Sequence, residues 1–145
     1  MKNQKGFTLL EMMIVVAIMG VLAGAFMPAL FNQLDKAEQG RTKHDLNQLA
    51  SQVKFFYMDK RKYPNNNKGL TVLIPDYLSE LPLDPYGSEY LYKKQGRSVV
   101  VYTLGADGEV GGEGNDADAY EFVARDNVNR PTPTPNDDTF NPFSN

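Results

Sequence analysis

Lys5-Gly6-Phe7-Thr8-Leu9-Leu10-Glu11 opens into the apolar run MMIVVAIMGVLAGAFMPALFNQL, residues 12–34, which carries no charge until Asp35. Roughly 20 uncharged, mostly apolar residues are enough to cross a bilayer as a helix. Lys2 and Lys5 hold the N-terminus on the cytoplasmic side. Glu11 is the anomaly. A carboxylate costs on the order of 3 kcal/mol at a bilayer centre and less near the interface, so a charge at the mouth of such a helix needs a compensating partner. Two readings stand on these features alone. A plain membrane anchor fits the length, and a secretory signal peptide fits the basic start and the small residues Ala23-Gly24-Ala25. Against the signal peptide, the apolar run continues past that site to Phe31, and Glu11 sits where its apolar region should begin.

Working outward, the helical pattern continues past Leu34 but becomes amphipathic. Leu46, Leu49, Ala50, Val53, Phe56 and Tyr57 recur at helical spacing, with Asp45, Gln48, Gln52 and Lys54 on other faces. Gly20 and Pro28 predict a kink in the apolar half, and Gly40 is a weak point. Tyr63-Pro64 and Asn65-Asn66-Asn67 end the pattern. The spacing predicts one helix from Phe7 to about Asp59, roughly 80 Å long at 1.5 Å per residue. Gly69 to Leu78 reads as a short helix and loop stopped at Pro75. Leu81-Pro82-Leu83-Asp84-Pro85-Tyr86-Gly87 is turn chemistry. Tyr90–Tyr92, Ser98–Thr103 and Tyr120–Phe122 read as strands, with a turn at Lys93–Arg97. Beyond Asn127 the prolines, threonines and aspartates predict a disordered tail.

With 145 residues, the chain holds at most one small domain besides its N-terminal segment. A formal charge of -3 lacks the basic excess of a nucleic-acid binder, so no nucleic-acid partner is expected. There are no cysteines to staple the domain, which leaves a metal or an assembly partner to help hold it. The one dense set of oxygen donors is Leu104 to Asp118, LGADGEVGGEGNDAD, where five glycines let the backbone curl inward. Calcium takes 6–8 oxygen ligands, carbonyls included. The spacing is not that of an EF-hand, and on composition a solvated acidic loop is equally acceptable. No catalytic constellation is visible. His44 is the only histidine and has no cysteine or second histidine to work with.

Gly6-Phe7-Thr8-Leu9-Leu10-Glu11 followed by an uninterrupted apolar run resembles the signal of type IV pilins and pseudopilins. The resemblance implies that a prepilin peptidase cuts between Gly6 and Phe7 and methylates the new terminal amine of Phe7. Glu11 then lies four residues beyond that amine, and in the family it meets the N-terminus of a neighbouring subunit. It also implies that the helix between Gly20 and Pro28 unwinds on filament packing. Tyr63-Pro64, Gly69-Leu70, Leu81 to Gly87 and Tyr90 further resemble the major pseudopilins of type II secretion, with Tyr86 where that family usually has tryptophan. This second likeness, taken with the first, runs from Gly6 to about Asp118; the tail departs from it.

The resemblance implies an α+β fold, in which a long N-terminal helix packs by its C-terminal half on a small antiparallel sheet with a calcium-binding loop. Carried over residue by residue, Asp107, Asp116 and Asp118 supply carboxylates to Ca²⁺, and Leu104 and Val110 supply main-chain oxygens. The expected organisation is a leader at 1–6, a transmembrane and filament-core helix at 7–34, a periplasmic domain at 35–126 and the tail at 127–145. The implied function is a structural, non-enzymatic subunit of a pseudopilus that drives folded proteins through the outer membrane. Implied partners are further copies of the chain in a helical filament, minor pseudopilins, prepilin peptidase, the inner-membrane assembly platform and inner-membrane lipid. A type IV pilin for adhesion, motility or DNA uptake is the alternative, although many of those close a loop with a disulfide and this chain has no cysteine.

Overall fold

The computed structural model describes residues 6–124. The leader's first five residues and the tail expected at 127–145 lie outside the described residues. Helix α1 spans Leu9–Lys60 and contains Pro28. It begins two residues later than the expected start at Phe7, because Thr8 caps it. It passes through Gly40 without a break. Its end is set by Arg61, whose left-handed φ of 55° lets its N–H donate to the Tyr57 carbonyl at 2.8 Å. The chain forms two compact units, Met1–Lys36 and Ala37–Asn145.

The first unit is the apolar part of α1. This is a helix long and apolar enough to cross a membrane, and none of its apolar window is buried within the chain. Large side chains such as Leu22, Phe26 and Leu30 are exposed along it. An apolar surface of this extent calls for lipid or protein around it.

The second unit holds the core. Strands β1 (Leu91–Gln95), β2 (Ser98–Thr103) and β3 (Ala119–Ala124) form an antiparallel sheet in the order β1-β2-β3. Gln95 pairs with Ser98 across the hairpin turn, and Gly96 takes the positive φ of 59° that the turn requires. β1 therefore starts later and runs further than the Tyr90–Tyr92 expectation. Leu46, Leu49, Ala50, Val53 and Phe56 of α1 pack with Val99 and Val101 of β2, Val123 of β3 and Tyr90. Leu70 and Leu73, from a 3-10 turn at Gly69–Leu73, complete the cluster.

Two helix positions differ from the amphipathic reading. Tyr57 is exposed and stacks on Tyr63, with ring centroids 4.4 Å apart. Asp45 is buried, accepting a hydrogen bond from the Tyr90 hydroxyl at 3.2 Å and facing Arg41 Nε at 3.6 Å.

The turn at Leu81–Gly87 is organised by Asp84, which is only 2% exposed. Its Oδ1 accepts from the N–H groups of Tyr86 and Ser88 at 3.0 and 2.7 Å, and its Oδ2 accepts from the Thr103 hydroxyl at 2.7 Å. One carboxylate thus ties the turn to the end of β2, from which the acidic loop departs. Removing it leaves three donors without their acceptor, a loss of about 2–3 kcal/mol. Asp84→Ala is expected to lower the unfolding midpoint by roughly 10 to 20 °C in thermal circular dichroism, on the scaling for a domain of this size.

Candidate functional site

At the N-terminus, Glu11 and Thr8 bond reciprocally. The Thr8 N–H and hydroxyl donate to Glu11 Oε2 at 2.8 and 2.9 Å, and the Glu11 N–H donates to Thr8 Oγ1 at 3.2 Å. This is a capping box, which satisfies backbone donors at a helix start. The Thr-x-x-Glu spacing ahead of an apolar run carries that signal in the sequence, masked by the charge of Glu11. Phe7 lies outside α1 and is 85% exposed. A Cβ built on Gly6 would meet nothing within 4 Å. The bond between Gly6 and Phe7 is therefore open to approach. In the uncut chain Glu11 serves the helix start, and Phe7 precedes α1.

The acidic loop leaves β2 at Leu104 and returns at Ala119. Its backbone closes on itself through three hydrogen bonds. Ala106 N–H donates to the Asn115 carbonyl at 2.9 Å, Asp116 N–H to Glu113 at 3.2 Å, and Asp118 N–H to Gly111 at 3.2 Å. None of these acceptors is one of the two main-chain donors expected for a cation, Leu104 and Val110. The peptide of Asp116 is gripped from two sides. A Cβ on Gly105 would stand 2.6 Å from its carbonyl carbon and oxygen, and one on Gly112 would stand 2.5 Å from that oxygen. Both glycines have positive φ, +70° and +81°. Their specific role depends on two loop segments meeting, which no local pattern shows.

The side chains divide as follows. Asp107 Oδ1 accepts from the Glu109 N–H at 2.9 Å, a local turn bond. Asp118 Oδ2 accepts from the Gly111 N–H at 2.8 Å, while its Oδ1 is buried and accepts no hydrogen bond. Burial pushes the Asp118 carboxyl above its ordinary range, the Gly111 bond opposes this, and the charge of Asp107 adds to the rise. Asp107 and Asp118 therefore sense each other. Among the described residues no three acidic, histidine or cysteine side chains gather as a metal cluster, so Asp116 does not join them as a third converging carboxylate. Val110 is 60% exposed, and Leu104 is half-buried. A cleft of about 500 Å³ adjoins the loop, lined by Thr42, Lys43, Tyr86, Asp118, Tyr120 and other residues. His44 is exposed on α1.

The family described as type II secretion system protein G matches residues 29–121. The chain belongs to that family. Residues 1–27 also match the prokaryotic N-terminal methylation motif. Among curated relatives, the type II secretion system core protein G of Vibrio cholerae is 38% identical, over 87% of this chain and 97% of its own. That of Pseudomonas aeruginosa is 35% identical, over 81% of this chain and 94% of its own. The crystal structure of the major pseudopilin of the type 2 secretion system of enterohaemorrhagic Escherichia coli superposes with a TM-score of 0.53 at 26% identity, covering 65% of this chain and 94% of that one. The protein G family thus accounts for the long N-terminal helix and the three-stranded antiparallel sheet. It also decides between the two pilin-like readings, in favour of secretion.

Proposed function

We infer that this protein G family member is a structural subunit of a type II secretion pseudopilus, processed at Gly6–Phe7 and stiffened by calcium. The match across residues 29–121 carries the first part. The exposed apolar surface of the first unit supplies the means: it is a membrane span in the free subunit and a filament core after assembly. The globular unit then stands in the periplasm with the anchor in the inner membrane, the orientation that Lys2 and Lys5 favour. Prepilin peptidase, minor pseudopilins and the assembly platform are the partners this role requires. The filament carries no chemistry of its own and pushes folded cargo towards an outer-membrane channel. Deleting the gene tests the role, with loss of secreted enzymes and intact surface pili as the expected result. Normal secretion from the deletion strain would overturn it.

Glu11 has two jobs on this reading, and they can be separated. Gln in its place keeps an acceptor for Thr8 and so keeps the capping box, but it cannot neutralise the amine of a processed Phe7. Glu11→Gln is therefore expected to be cut normally and to assemble about tenfold less filament or worse, the effect of each ~1.4 kcal/mol lost per contact. Sheared-filament yield after overexpression measures it. Filaments at the wild-type level would leave Glu11 with capping alone.

The acidic loop fits a calcium ion. Asp118 presents a buried oxygen without a hydrogen bond, in a raised-pKa carboxyl that a cation relieves. Asp107 is close enough to act on it, and carboxylates with carbonyls are the donor set this hard cation prefers. Bound calcium supplies positive charge that the loop lacks. The chain's own part is to hold Asp107 and Asp118, with the Leu104 and Val110 carbonyls, on a backbone that Gly105 and Gly112 clasp at the Asp116 peptide.

A further inference from the structure

The globular unit is electrically polar along β2. At the hairpin end, the segments 60–68 and 93–97 contain Lys60, Arg61, Lys62, Lys68, Lys93, Lys94 and Arg97 and no acid. Asn66 joins the two segments: its Nδ2 donates to the Lys94 carbonyl at 3.0 Å and its Oδ1 accepts from the Lys94 N–H at 2.7 Å. Lys62 and Lys68 stand on one cleft of about 340 Å³ beside Tyr63 and Pro64. At the other end, the loop 104–118 contains five acids and no lysine or arginine, with Lys43 of α1 on the cleft beside it. Glu109 and Glu113 are exposed there. The two ends are separated by the length of β2, about 20 Å at ~3.3 Å per residue. Among the described residues, Lys62, Lys68 and Arg97 form no ion pair, nor do Glu109 and Glu113.

We propose that the basic end, around Lys62 and Lys68, docks on the acidic loop of a second copy of this chain, at Glu109 and Glu113. The proposal rests on the filament reading above. The occupant is a second copy because one surface of the unit complements the other and both lie on the same chain. Such a head-to-tail contact is heterologous and propagates rather than closing, which a filament needs. Complementary charge of this kind fixes register more than it adds affinity. It also assigns the loop's acids different work. Asp107 and Asp118 serve the cation, and Glu109 and Glu113 remain as outward charge. Salt weakens a contact between exposed charges.

Charge reversal and cross-linking test it on the full-length chain in cells. Lys62→Glu with Lys68→Glu is expected to cut filament yield at least about tenfold, by setting like charges face to face. Adding Glu109→Lys and Glu113→Lys to the same chain is expected to restore it. Unaltered thermal midpoints show that the variants fold. Because the wild-type chain has no cysteine, Lys68→Cys with Glu113→Cys reports the contact directly. A disulfide needs Cα atoms within about 7 Å, so the two positions, at opposite ends of β2, cannot bridge within one copy. Oxidised filaments are expected to give a ladder of linked multimers. Wild-type-level filaments from the reversed chain, or filaments without a ladder, overturn the proposal while leaving the filament reading in place. Binding of the basic end to phosphatidylglycerol vesicles, with assembly indifferent to reversal, overturns it in favour of a lipid surface. A wild-type chain that forms no filament removes the filament reading, and this proposal with it.

Discussion

Calcium is expected to raise the unfolding midpoint of the globular unit by roughly 15 to 30 °C, and a chelator to reverse the shift. A ligand bound only by the native state stabilises it by about 4 kcal/mol at a thousand times its dissociation constant. In a domain of this size each kcal/mol moves the midpoint by about 4–8 °C. Asp118 makes the prediction specific. Its Oδ1 is buried without a hydrogen bond, and burial together with the Asp107 charge disfavours its ionised form. Asp118→Asn keeps an acceptor for the Gly111 N–H and removes the charge. The variant is expected to melt at or above the wild-type midpoint without calcium and to show almost no calcium shift. Glu109→Gln is expected to keep the full shift. An unchanged wild-type midpoint on adding calcium would leave the loop as solvated acid. A calcium shift that survives Asp118→Asn would move the site elsewhere in the loop.

The elements most readable in the sequence are those whose cause is local. Ser98–Thr103 announces a strand because three consecutive valines favour the extended backbone, and β2 has those bounds. The stripe Leu46, Leu49, Val53, Phe56 is legible because a helix repeats every 3.6 residues, and each of these residues is in the core. Asp45 was not legible. Its neighbours on the helix argue for solvent, and its burial depends on Tyr90, 45 residues away. Asp84 was legible as a turn residue but not as a tie to Thr103, because that bond joins segments 19 residues apart. The Thr8–Glu11 cap is written in the Thr-x-x-Glu spacing, where a charge at the mouth of an apolar run masks it. The acidic loop divides on the same line. Its composition announced oxygen donors, whereas the meeting of Gly105 and Gly112 on one peptide exists only after folding.

That meeting gives the second large expected effect. Gly112→Ala sets a Cβ 2.5 Å from the Asp116 carbonyl oxygen and 2.7 Å from its carbon, and Gly105→Ala sets one 2.6 Å from both. The obstacle is backbone, so no rotamer change relieves it. Each substitution also forces an L side chain to a positive φ, which alone costs roughly 1–2 kcal/mol. Clash and strain together are expected to cost about 3–5 kcal/mol, at the upper end for single substitutions. Gly108 separates the two causes, because its φ is +68° but a Cβ there meets nothing within 4 Å. Gly108→Ala is therefore expected to lose only the roughly 1–2 kcal/mol of backbone strain. Denaturant unfolding without calcium measures all three, and equal losses would mean that the clasp on Asp116 does not exist. The double variant at Gly105 and Gly112 is expected to lose less than the sum of the singles, because both press on one peptide and a single displacement relieves both. Calcium should rescue Gly108→Ala and fail to rescue the other two, since Asp118 follows the displaced Asp116 peptide.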